Sequence, residues 1–238
     1  MSNFAKKQIG RAGQSHEGGF GYEFDCTSAG YVAADAATRF SETADGGEFL
    51  VTVIDGGTDG GETIKVADDA HGGNVVIVTN DADNDAVSIQ KNGEIVKMAA
   101  GRRISFELEI KIGDVSTTDW LFGLAITDTT PLAGISDGVF FRCPDSTGDI
   151  DIVTAKDSTE TVTDSAKDLA DDTWVNLGIA IIGTERAQFY VNGTKVGDVT
   201  TNLPDDQAMT PTIQVRNSSA AVTTTTMRYL GISSSDSR

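Results

Sequence analysis

A chain of 238 residues with 39% hydrophobic side chains is long enough to bury a core in one large β domain or two small ones. Two cysteines are too few for a disulfide scaffold. Its 36 acids against 18 bases leave a net charge of −18, which argues against a nucleic-acid partner and against an anionic membrane surface. The apolar runs, such as Val75–Val78 and Ile179–Ile182, are too short to span a bilayer, and no apolar run follows Lys6 and Lys7 to make a secretory signal. The expectation is a soluble, acidic, folded protein made without export.

Residues 1–45 read as an arm that packs on the body or on a neighbour. Its first 16 residues carry Lys6, Lys7 and Arg11 and no acid, so the rest of the chain holds a net −21. Gly10, Gly13, Gly18, Gly19 and Gly21 interrupt any period there, while Tyr22, Phe24, Tyr31 and Phe40 supply anchors.

From Gly46 onward the signal is of short strands. Phe49–Ile54, Thr63–Val66, Asn74–Thr79 and Ala86–Gln90 are β-branched runs separated by glycine pairs. Ile104–Ile112 alternates strictly, with apolar residues at even positions and polar ones at odd positions. That predicts one buried and one wet face. Trp120–Ile126, Val139–Arg142, Asp149–Thr154, Trp174–Ile182, Ala187–Val191, Thr212–Val215 and Thr223–Ile232 follow. Asn192-Gly193 predicts a type I′ hairpin, and Asn92-Gly93 offers the same signal earlier. One helical turn is expected at Ala166–Asp172. Many strands with regular turns predict an all-β fold, a two-sheet antiparallel sandwich over residues 46–238.

Catalytic chemistry is sparse. His16 lies in the arm and His71 in a His-Gly-Gly turn, and both read as solvated loop residues. Gly134-Ile135-Ser136-Asp137-Gly138 matches G-x-S-x-G, but a strand rather than a helix follows it, so the match reads as accidental. Glu107 and Glu109 share a strand face, the arrangement a glycanase would need, although Ile112 occupies the position of a third acid. A solvated face explains them better. Asp81, Asp83 and Asp85 are the best metal candidates, since alternate carboxylates in a loop suit calcium; an EF-hand is ruled out by Ala86 and Asn92 at its glycine and glutamate positions. A plain acidic turn is the alternative, and no cofactor or metal is assigned. Cys26 and Cys143 read as unpaired thiols, and Trp120 and Trp174 as core residues. Asn192-Gly193-Thr194 and Asn217-Ser218-Ser219 fit the glycosylation sequon, without meaning in a protein that is not exported.

In order along residues 46–233, His71-Gly72-Gly73, the Asp81–Asp85 loop, Ile104–Glu107, Trp120-Leu121-Phe122-Gly123-Leu124-Ala125, Asp137-Gly138-Val139-Phe140-Phe141-Arg142, Leu169–Trp174, Phe189-Tyr190-Val191-Asn192-Gly193, Leu203-Pro204 and Met209–Thr212 resemble the concanavalin A-like (laminin G/jelly-roll) domain of tailed-bacteriophage structural proteins. The resemblance implies a jelly-roll sandwich and a non-enzymatic virion protein on the capsid exterior, made in the host cytoplasm. Such a protein would decorate or cement the shell by binding the major capsid protein, as a homo-oligomer. Lys6, Lys7 and Arg11 are then the candidate capsid contacts. The alternative is a lectin-like module that binds a host glycan, with Asp81, Asp83 or Trp120 in its site. A glycanase using Glu107 and Glu109 ranks last.

Overall fold

The computed structural model describes residues 19–25, 32–33, 38–40, 49–57, 61–69 and 72–236. The chain runs through β1 (Gly19–Asp25), β2 (Val32–Ala33), β3 (Thr38–Phe40), β4 (Phe49–Ile54), β5 (Thr63–Asp69) and β6 (Gly72–Val78). It continues through β7 (Ala86–Lys91), β8 (Val96–Lys97), β9 (Arg102–Ile112), β10 (Thr118–Ala125), β11 (Gly138–Cys143) and β12 (Asp149–Lys156). The last six are β13 (Thr159–Asp168), β14 (Val175–Ile182), β15 (Arg186–Val191), β16 (Thr194–Val199), β17 (Ala208–Asn217) and β18 (Thr224–Asp236).

These strands form two antiparallel sheets, the sandwich that the alternating pattern predicts. The first has the order β16-β15-β14-β9-β18-β6-β5-β2, with β1 beside the second half of β18. The second has the order β13-β12-β11-β10-β17-β7-β4-β3, with β8 beside β17. Residues 19–40 of the expected arm thus supply β1, β2 and β3, which pair with β18, β5 and β4. Lys6, Lys7, Arg11, His16, Cys26 and His71 lie outside the described residues.

Alternation decides what each sheet buries. On β9, Ile104, Phe106, Leu108, Ile110 and Ile112 face inward; Leu177, Ile179 and Ile181 of β14 meet them from the same sheet. Trp120, Phe122 and Leu124 of β10 close the core from the other side. The Phe141 and Phe189 rings meet edge to face at 5.2 Å across the gap between the sheets, a geometry favoured by the ring quadrupoles. Each such buried side chain contributes about 1.5–3 kcal/mol of hydrophobic stabilisation.

The two outer faces differ. On the second sheet, Leu121, Ala125, Phe140, Val153 and Ala155 form a small apolar cluster with Ile135, and Leu132 packs on it. Gln90 and Gln214 tie that covering loop down: Gln90 Nε2 donates to the Ile126 carbonyl, and Gln214 Oε1 accepts from the Leu132 N–H at 2.6 Å. The outer face of the first sheet mixes small residues with polar ones instead, as Ala180 and Gly178 beside Gln188 and Ser105.

Local expectations fail in three places. Ala166–Asp172 makes no helical turn, because its first residues finish the edge strand β13, wet on both faces and so without an apolar period. Asn92-Gly93 turns the chain but closes no hairpin with β7, since β8 beyond it pairs with β17. Trp174 is outside the core, its ring covered by the Arg228 guanidinium at 3.7 Å. The Asn192-Gly193 turn does take positive φ at both residues, 51° and 77°, and joins β15 to β16.

Candidate functional site

The open outer face of the first sheet is built by cross-strand register. Gln188, Ala180, Ser105 and Ser233 form one row across β15, β14, β9 and β18. Arg186, Ile182, Arg103 and Ser235 form the next row, and Tyr190, Gly178, Glu107 and Gly231 the row on the other side. Small residues at 105, 178, 180, 231 and 233 leave a depression between longer side chains. Its volume is about 220 Å³, and Arg103, Ser105, Ala180, Gln188, Ser233 and Ser235 line it.

Hydrogen bonds fix the rim. Gln188 accepts from the Tyr190 hydroxyl at 3.0 Å and donates to Asp198 at 3.1 Å. Glu107 is only 6% exposed, so the expectation of a solvated row fails at this position. Its Oε1 accepts from Asn176 Nδ2 at 2.7 Å, and Asn176 is held in turn by the Asn192 side chain. Glu109, two residues along, faces the Arg228 guanidinium at 3.9 Å. The two glutamates therefore have different partners.

The other sequence candidates separate. Trp120 is fully buried, stacked on Phe122 at 4.8 Å, so it contacts no ligand. Ser136 sits between the 3-10 turn Pro131–Ala133 and strand β11, its hydroxyl donating to Asp137 at 2.7 Å. This is no nucleophile elbow, which needs a strand before the serine and a helix after it. Cys143 is a buried free thiol, and burial pushes its pKa up, as expected for a packing residue.

In the acidic loop, Asp81 and Asp83 are exposed while Asp85 points inward. Asp85 Oδ1 accepts from the Gly56 N–H at 2.8 Å, and its Oδ2 from the Ala82 N–H at 2.9 Å. Its carboxylate neighbours are Asp55 and Glu62, each with an oxygen within 4.8 Å of the others. Local spacing put Asp85 with Asp81 and Asp83; the fold puts it with two acids more than 20 positions upstream. The glycine-rich run around Asp55 and Glu62, with an acid at each end, was the available signal.

Asn217 is fully buried, so the second sequon is no modification site. Its side chain instead clamps the same acidic loop, with Nδ2 donating to the Asn80 and Ala82 carbonyls.

Residues 71–232 match the model of a family described as SO2946-like, C-terminal domain. No curated protein matches the chain. Among solved structures, a protein of unknown function from Shewanella oneidensis MR-1, SO2946, is similar at TM-score 0.61 and 13% identity. The match covers 100% of this chain and 95% of that one. The metal-free carbohydrate recognition domain of Emp46p is similar at TM-score 0.53 and 8% identity over 78% of this chain and 87% of that one. An endo-β-1,4-glucuronan lyase from the fungus Trichoderma reesei is similar at TM-score 0.50 and 6% identity, over 76% and 89% of the respective chains. At these identities the similarity is one of fold.

Proposed function

The chain belongs to the SO2946-like C-terminal domain family, and from that premise we propose that it is a non-enzymatic carbohydrate-binding module whose ligand lies on the open face of the first sheet. The observation that carries this reading is the depression over β9, β14, β15 and β18. Its lining sets hydroxyls, an amide and a guanidinium beside apolar Ile182, and the polar groups supply both the donors and the acceptors that sugar hydroxyls require. Its floor is made by the small side chains of Ala180, Ser105 and Ser233, neighbours in register, which leave room for a ring to approach. At about 220 Å³ it is smaller than the roughly 300–1,000 Å³ of enclosed ligand pockets, so it suits a sugar ring laid on the surface.

Two features support binding without catalysis. No carboxylate or histidine lines the depression among the described residues, so general acid–base work has no agent there. Glu107 is held by Asn176 and Glu109 faces Arg228, so the pair that would serve a glycanase is engaged elsewhere. Of the proteins of similar fold, one is a carbohydrate recognition domain and one a glucuronan lyase. Capsid decoration, the first expectation from the sequence, rested on the resemblance to phage structural proteins; its candidate contacts, Lys6, Lys7 and Arg11, lie outside the described residues.

The test is a glycan array followed by calorimetry with any hit, on the wild type and on Ala180→Trp. Ala180 faces outward, so the larger ring fills the depression without entering the core. The expected result is binding that weakens by about tenfold or more in the variant, as when a site is physically filled. No hit on a broad array, or a hit that Ala180→Trp binds equally well, would sink the proposal.

A further inference from the structure

We propose that Asp55, Glu62 and Asp85 form a calcium site that ties together two crossovers between the sheets, a site separate from the sugar-binding face. Asp55 follows β4 of the second sheet and Glu62 precedes β5 of the first, while residues 79–85 lead back from β6 to β7. The three carboxylates lie where these crossovers meet.

The spacing fits the ion. Calcium takes oxygen ligands at about 2.3–2.6 Å, so oxygens on opposite sides of one ion stand roughly 5 Å apart. All three carboxylates present an oxygen within 4.8 Å of the other two, inside that span. Backbone donors from beyond the neighbouring residue hold Asp85 and Asp55 in place. Asp85 is fixed by the Gly56 and Ala82 N–H groups, and Asp55 Oδ1 accepts from the Gly57 N–H at 2.9 Å. Gly56 presses so closely on the second crossover that a Cβ there would sit 2.1 Å from the Asp83 carbonyl oxygen.

A cluster of acids alone would not indicate a ligand; Glu62 does. It is 2% exposed, and its Oε1 has no hydrogen-bond partner among the described residues. The other oxygen accepts from the N–H of adjacent Gly61 at 3.1 Å. A buried carboxylate oxygen without a donor is heavily penalised, and a cation removes that penalty. Among the described residues, the charged neighbours that act on Glu62 are Asp85 and Asp55, both of its own sign. Three oxygen donors suit calcium, whose coordination is flexible and irregular, better than magnesium with its strict octahedron.

The experiment uses the full chain freed of metal by a chelator, with calcium chloride as the probe. Calorimetry is expected to give one saturable calcium per chain, and thermal unfolding to shift upward at about 1 mM calcium by mass action. Glu62→Gln is expected to lose about tenfold or more in affinity and most of the thermal shift, since it removes a charged ligand. Without metal, that variant is expected to unfold no earlier than the wild type, because it removes a buried charge. Asp55→Asn, at an exposed position, is expected to weaken binding as well. Asp81→Asn with Asp83→Asn is expected to leave it intact. Absence of saturable binding by the wild type, equal binding by Glu62→Gln, or loss of binding on changing Asp81 and Asp83 would each overturn the assignment.

Discussion

Replacing Asn217 by aspartate is the sharpest test of how the acidic loop is held. Asn217 Oδ1 accepts from the Thr79 hydroxyl at 2.5 Å and from the Thr223 hydroxyl at 2.9 Å, while Nδ2 donates to the Asn80 and Ala82 carbonyls. Its backbone adds two bonds, donating to the Asp85 carbonyl at 2.8 Å and accepting from the Asn84 N–H at 3.0 Å. Asn217→Asp keeps the shape and the Oδ1 contacts but turns an oxygen towards two carbonyl oxygens. Two hydrogen bonds are lost at about 1 kcal/mol each, and a buried charge without a counter-ion adds about 3 kcal/mol or more, so the cost at neutral pH comes to about 5 kcal/mol or more. The new carboxyl can recover one bond by taking up a proton and donating it to a carbonyl, so its folded pKa rises above the unfolded value. A carboxyl with a raised folded pKa destabilises least below the unfolded pKa, and the penalty grows as pH climbs through the folded one. Urea unfolding at neutral pH and near pH 4 measures both effects. An unchanged midpoint at neutral pH, or a gap from wild type that widens on acidification, would refute the reasoning.

Glu62 predicts a related pH dependence in the metal-free protein. Burial, with Asp85 and Asp55 nearby, raises its pKa above the ordinary carboxylate value of 4.5, so stability is expected to fall as pH rises from there through the folded pKa. Urea midpoints across that range should fall less for Glu62→Gln; parallel curves would contradict the assignment of burial strain to this residue. Cys143 is fully buried and its thiol is pushed up, so in a Cys26→Ser background it is expected to react with Ellman's reagent only after unfolding. Rapid labelling of the native protein would count against its placement in the core. At Gly123, an added Cβ would lie 2.6 Å from both the Phe140 Cα and the Val139 carbonyl oxygen of β11. Gly123→Ala is therefore expected to destabilise by about 1–3 kcal/mol, because neighbouring backbone has to move. A neutral urea midpoint would show that the strands are looser here than drawn.

The fold was legible where a residue's surroundings follow from its own neighbours in the chain. Alternation over Ile104–Ile112 states which side chains face inward, and Asn192-Gly193 states where a hairpin closes, because both depend on backbone geometry over a few residues. The same local reasoning missed β13, whose residues are half-buried or exposed, since an edge strand needs no apolar face to pair with β12. It placed Trp174 in the core from its apolar neighbours, whereas its partner is Arg228 on a different strand.

The sites were decided by pairing at long range. The depression takes one or more residues from each of four strands, and Ser105, Ala180, Gln188 and Ser233 carry no mutual signature in a linear pattern. The acidic cluster is similar: Asp81, Asp83 and Asp85 share a loop, but only Asp85 turns inward, and the crossover from β4 to β5 supplies its companions. Sequence by itself determined the strand faces, the acidic character and the near absence of catalytic histidine. Tertiary structure decided which polar groups meet, because side chains on antiparallel strands become neighbours through register, and register is set by the whole core.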